Sequence, residues 1–354
     1  MDIVWDVYDP DSLKSTTRSY RGKGVRRRVL PDTKIPGNWG LFLRVDENKT
    51  ELFNYLTDEI VHVNHNNKLV VATHDENVVS SPQYDSRNLA PCSHEEADVK
   101  MMVHVADISY QGLKKIMLRT VDTDVLVLAV AIYPQIAVDE LWIAFGAGKN
   151  LRYIAVHSIV RSLCESKCKA LPVFHAFTGC DQTSAFCSRG KKTAWETWKS
   201  FDTATASFLA LSSSPSLESV LQEMPTIERF VVLMYDRTCE ATEVNNARKY
   251  LFTQKGRSIE SIPPSSAALL EHTKRAVFQA GYIWGQALKL HPNIPSPAEW
   301  GWVRDNSKWE PFWSSLSQAA VSCQELLKCG CNPIKGCHGR CKCFKAEMLL
   351  KHRF

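Results

Sequence analysis

Long apolar runs are missing from this 354-residue chain. The longest, Val125 to Tyr133, falls far short of the roughly 20 apolar residues that a helix needs to cross a bilayer. No membrane partner is therefore expected. No apolar signal-type segment follows Met1, so a soluble, intracellular and non-secreted protein is expected. Internal repeats are absent. So is the glycine spacing of a phosphate-binding P-loop: Gly190-Lys191-Lys192-Thr193 lacks the upstream glycine. Cysteine is plentiful, at twelve residues, yet no disulfide framework is expected. Six cysteines crowd between Cys323 and Cys343, and the other six are scattered from Cys92 to Cys239. That distribution fits a reducing compartment and a metal-bound tail.

Apolar residues make up 44% of the chain and charged residues 23%, which is a globular composition. The length allows one large core or two smaller ones. A net charge of +5 is mild, so its location matters more than its sum. From Lys14 to Val29 there are seven basic residues and no acids: Lys14, Arg18, Arg21, Lys23, Arg26, Arg27 and Arg28. Such a run reads as a solvated face, as a localisation signal, or as an arm that contacts a nucleic-acid backbone through its charge alone.

Three acidic clusters punctuate residues 94–181. They are His94-Glu95-Glu96-Ala97-Asp98, Asp122-Thr123-Asp124 and Gly179-Cys180-Asp181. The pattern predicts a helix starting at Ser93 or His94, with Glu95, Glu96 and Asp98 in its first turn. It predicts a strand over Ile116–Val121 that ends at Asp122, then a buried helix over Val125–Ala131. An apolar segment, Ala170 to Phe177, leads to the tight turn at Gly179 that presents Asp181. A single such cluster is explained by the helix dipole, which favours acids at helix N-termini, and Asp122 alone by an N-cap. Three clusters at element ends suggest carboxylates gathered in the crevice at the end of a parallel sheet. Their mutual repulsion calls for a hard divalent cation with oxygen ligands.

Elsewhere, residues 2–8 read as a buried strand and Asn48–Val63 as an amphipathic helix. Leu69–Ala72 reads as a strand, Val78–Pro91 as a polar loop, and Leu141–Phe145 with Leu151–Val156 as a hairpin. Residues 203–290 read as mostly helical, and Pro292–Pro311 as a Pro/Trp-rich loop. The Gly190–Thr193 turn entering a helix is a candidate phosphate cradle through Lys191 and Lys192. The expected divisions are 1–200, 201–322 and 323–354. In the tail, Cys329, Cys331, Cys337, Cys341 and Cys343 have the close spacing of thiolates that bind Zn²⁺ tetrahedrally.

Taken together, residues 2–200 resemble the flap endonuclease/PIN-like nuclease superfamily. Trp5-Asp6-Val7-Tyr8, Pro10 and the Arg run look like its second strand and basic gateway. Glu96-Ala97-Asp98, Asp122-Thr123-Asp124 and Gly179-Cys180-Asp181 match its successive acidic motifs. The tail ending Cys341-Lys342-Cys343-Phe344-Lys345-Ala346 is similar to the tesmin/TSO1-like CXC domain. The pairing also resembles predicted proteins tied to mobile elements. These resemblances imply a mostly parallel central sheet flanked by helices, then a helical extension and a zinc tail. They imply a nuclear, metal-dependent nuclease acting on nucleic acid, with DNA favoured over RNA. Glu96, Asp98, Asp122, Asp124 and Asp181 would hold two Mg²⁺ or Mn²⁺ ions, supported by Asp6 and Glu95. Lys14, Arg18, Arg21, Arg26, Lys191 and Lys192 would position phosphates. The family's first strand, carrying its own aspartate, is expected ahead of residue 1. Two further readings stay open: a relict nuclease fold that only binds nucleic acid, and a zinc-assembled interaction protein.

Overall fold

The computed structural model describes residues 1–313, apart from 20–21, 64–67, 255–260 and 307. Arg21 and the tail cysteines Cys329, Cys331, Cys337, Cys341 and Cys343 lie outside the described residues. Helices α1 (Leu13–Ser19), α2 (Trp39–Phe42) and α3 (Asp46–His62) separate β1 (Asp2–Ile3) from β2 (Val70–His74) and β3 (Asn77–Ser81). β1 runs parallel to β2, and β3 antiparallel to it. The strand expected over residues 2–8 is thus only two residues long. Trp5 ends it. Its backbone N–H donates to Thr73 Oγ1 at 2.8 Å and its ring N–H to Thr57 Oγ1 at 2.9 Å, while the ring stacks on Phe53 at 4.5 Å. An aromatic ring stacked on one face and hydrogen-bonded at its polar edge draws the chain out of the sheet and onto α3. Val78 and Val79, expected in a loop, pair with Thr73 and Ala72 instead.

The second sheet follows α4 (Ala97–Tyr110). Strand β4 (Lys115–Thr120) leads into α5 (Thr123–Ile132), and β5 (Glu140–Phe145) then lies parallel to β4. β6 (Arg152–Ala155) closes the predicted hairpin against β5. The single, mostly parallel sheet expected from the sequence is therefore replaced by two small mixed sheets. Each has one parallel and one antiparallel pair, and β1 and β4 are edge strands. A groove of about 620 Å³ is lined by both edges and by Met101, Val105 and Ile108 of α4.

The remainder is helical: α6 (Val156–Ser162), α7 (Glu165–Phe177), α8 (Lys191–Ser200), α9 (Ala204–Ser213), α10 (Leu217–Tyr235), α11 (Val244–Thr253) and α12 (Ser266–Val277). A π-helical turn, 278–283, extends α12. The Pro/Trp-rich segment is not all loop, because β7 (Trp302–Asp305) and β8 (Lys308–Pro311) pair antiparallel within it. Residues Met1–Phe312 form one compact unit. Its core is aromatic where α7, α8, α9 and α10 meet. Phe174 stacks on Trp198 at 4.6 Å, and Phe208 meets Phe230 edge-on at 5.3 Å. Each such ring contributes roughly 1.5–3 kcal/mol by leaving water. Together they hold α7, the helix that leads to Asp181, against the helices beyond residue 200. No described helix is long and apolar enough to cross a membrane.

Candidate metal centre

Asp122 leaves the carboxyl end of β4 and caps α5, its Oδ1 accepting from the Asp124 N–H at 2.8 Å. A capping turn of this kind keeps two carboxylates, at positions 122 and 124, on one side of the helix start. Asp98 arrives from a different element, the first turn of α4. One oxygen from each of Asp98, Asp122 and Asp124 falls within 4.8 Å of the others. Burial and this crowding both show in the titration of Asp98 and Asp122. Burial, reinforced by Asp122 and Glu96, pushes the Asp98 carboxyl up to about 7. Burial also raises Asp122, with the charges of Asp124 and Asp181 adding to the effect. Asp181 thus lies close enough to belong to the same field. It follows α7, a helix, across Gly179, whose φ of +107° and whose Ala185 neighbour, 2.9 Å from where a Cβ would stand, both require glycine.

The other acids predicted for the site have partners of their own. Helix α4 begins at Ala97, so Glu95 and Glu96 precede it rather than fill its first turn. The cap comes from across the sequence, where Asp6 Oδ1 accepts the Ala97 N–H at 2.7 Å. Arg18 binds Glu95 at 2.7 Å and Asp46 at 2.7 Å. Lys14 Nζ stands 3.0 Å from Glu96 Oε2. Burial alone would drive the proton off Lys14. The Glu96 carboxylate reverses this, and the ammonium holds its proton more tightly than a free lysine does. Two of the basic residues expected to meet phosphate are therefore turned inward. The physical reason is that a nearly fully buried Glu96 needs a counter-charge close by. Arg26 pairs with Glu51, Arg28 reaches the same carboxylate at 3.9 Å, and Lys23, Arg27 and Arg28 are exposed.

Lys191, at the start of α8, behaves similarly. Its ammonium donates to the His175 carbonyl at 2.7 Å and reaches the Thr178 hydroxyl at 3.1 Å. Burial of that end lowers its pKa to about 8. Lys192 beside it is exposed. Sequence reasoning missed His175. This buried residue of α7 puts Nε2 2.8 Å from Asp124 Oδ1. The available signal was a lone histidine inside the apolar stretch Ala170–Phe177, three residues ahead of the turn that carries Asp181.

The donor set suits a hard divalent cation: it is all carboxylate oxygen, from two distant segments, with Asp98 held above the usual carboxylate range by burial and by its acidic neighbours. Compared with protein-family models, with curated proteins and with solved structures, the chain finds no match.

Proposed function

We propose that this chain is a divalent-cation-dependent phosphodiesterase acting on nucleic acid, built on an α/β fold of the flap endonuclease/PIN-like kind. The observation that carries the reading is the convergence of Asp98 with Asp122 and Asp124, because no cation of the chain pairs with Asp98 or Asp122 among the described ion pairs. These three would hold Mg²⁺ or Mn²⁺, with Asp181 beside them to draw in a second ion. Such ions, when bound, acidify water and neutralise charge on a phosphodiester.

The chain's own residues set the rest. His175 fixes the rotamer of Asp124. Lys14 pairs with Glu96, and its charge also offsets part of the charge on Asp98 and Asp122. The exposed Lys23, Arg27, Arg28 and Lys192 supply backbone contacts without reading bases. The tail cysteines are proposed to bind Zn²⁺ as a separate element.

A second reading has one observation in its favour. Glu95 and Glu96 are already satisfied by Arg18 and Lys14, which leaves fewer carboxylates for two ions than the sequence suggested. The pairing supports the alternative of a fold that binds nucleic acid without cleaving it. Mn²⁺-dependent cleavage of branched and single-stranded DNA and RNA, with Asp122→Asn as control, separates the two. Cleavage lost in the variant supports the phosphodiesterase. Binding without cleavage in both proteins supports the relict, and equal cleavage in both removes this site from consideration.

A further inference from the structure

Beside the carboxylates lies a pocket of about 350 Å³ that none of the chemistry above uses. Its apolar walls come from Leu13 of α1, Val99 of α4, Phe278 of the π-helical turn and Trp309 of β8. Trp309 is held in place, its ring N–H donating to the Asp11 carbonyl at 3.1 Å and the Arg304 guanidinium lying 5.7 Å over the ring. Gln182 also lines the pocket. It is only 7% exposed, and its Oε1 has no hydrogen-bond partner. A buried acceptor left unmet is unfavourable until an N–H reaches it.

The position of Gln182 ties the pocket to the metal centre. It follows Asp181 directly, within a turn closed by the bridge between Cys180 and Thr183. Val99, the residue after Asp98, and Glu96, two residues before it, line the pocket as well. Glu96 and Lys14 stand in the wall shared by both. The occupant must therefore be attached to whatever reaches the carboxylates. It must offer apolar faces to aliphatic and aromatic side chains and an N–H edge to Gln182. The carboxylates of Asp9, Asp11, Glu95 and Glu96 outnumber the cations Lys14 and Arg304 around the same pocket, which disfavours a second phosphate there.

We propose that this pocket holds one unstacked nucleobase of the strand whose phosphodiester meets Asp98, Asp122 and Asp124. The inference rests on the phosphodiesterase reading and adds to it: the substrate is single-stranded or locally opened at that nucleotide. A base taken out of its stack and gripped between apolar side chains, with its polar edge hydrogen-bonded, is a general solution to this recognition problem. A pocket of this volume lies within the range of small-ligand sites.

The test uses the full chain and a short single-stranded DNA in which one base at a time is replaced by an abasic site. Binding is measured without divalent ions, so it does not depend on cleavage. Tightness should fall about tenfold when the abasic site occupies one particular position, and little elsewhere. Gln182→Leu should erase most of that positional difference. Ile294→Trp, a change at a half-exposed residue of the same pocket, should erase it by filling the space. A flat profile in the unaltered protein overturns the pocket, as does a positional difference that survives both substitutions. A positional difference that responds to both substitutions, in a protein that shows no Mn²⁺-dependent cleavage, keeps the pocket and discards the phosphodiesterase.

Discussion

His175 Nε2 stands 2.8 Å from Asp124 Oδ1, so α7 fixes a carboxylate at the start of α5. The contact is partly buried and joins residues 51 positions apart. Outer partners that orient ligating groups typically matter about 10- to 100-fold in metal affinity. His175→Ala is expected to weaken Mn²⁺ binding by that factor while leaving the fold intact. Calorimetric titration of the metal, with circular dichroism as the control for folding, checks it.

Asp98 gives a stability prediction with a definite sign. Its carboxyl titrates near 7 in the folded chain, above its ordinary value. Between those two pH values the folded state holds a proton that the unfolded state has released. The metal-free protein therefore loses stability as pH rises through that window. Asp98→Asn removes the penalty. It should stabilise the metal-free protein at pH 8 by on the order of 1–2 kcal/mol, allowing for partial exposure, and make no difference at pH 4. If Mn²⁺ binds here as proposed, it should stabilise the unaltered chain and not this variant. Thermal melts at both pH values, with and without the ion, read all of this.

The Lys14–Glu96 pair predicts a double-mutant signature. Lys14→Met leaves a buried carboxylate without its counter-charge and should cost roughly 3 kcal/mol. Adding Glu96→Gln should recover most of that loss, because the demand for compensation disappears. Urea unfolding of the two single variants and the double variant measures the coupling. Additive losses would show that the pair is not a unit.

His272 sets an acid limit on the fold. It is buried, its Nε2 donates to the Phe177 carbonyl at 2.7 Å, and its Nδ1 accepts from Ser184 at 3.2 Å. Burial lowers its pKa to about 4. The unfolded chain binds this proton from about pH 6.5 downward, and the folded chain only near 4. Stability from His272 is fully present above pH 6.5 and falls as the pH drops to 4, by roughly 3 kcal/mol. His272→Gln should flatten that limb in a series of denaturation midpoints from pH 7 to 4.

Local pattern carried much of this structure. The helix at 46–62, the β5–β6 hairpin and the run from β4 through Asp122 into α5 are all legible, because each obeys a period of 3.6 or 2 and ends on a residue suited to capping or turning. What escaped depends on partners far along the chain. The cap of α4 is Asp6, 91 residues from Ala97, and no local signal announces it. The strand at residues 2–8 was cut short by Trp5 anchoring on α3. The inward turn of Lys14 and Arg18 was hidden because a basic run looks the same whether it faces solvent or buried acids. His175 was concealed by its apolar surroundings, where a buried histidine and a packing residue share one pattern.

The groove between β1 and β4 makes α4 a beam spanning two half-sheets that are not paired edge to edge. Asp98 stands on the first turn of that beam, while Asp122 and Asp124 stand at the exit of β4. A tilt of one half-sheet against the other would change the spacing of these carboxylates. A divalent cation tolerates only about 2.0–2.6 Å to each oxygen, so its arrival would latch the tilt at a single angle.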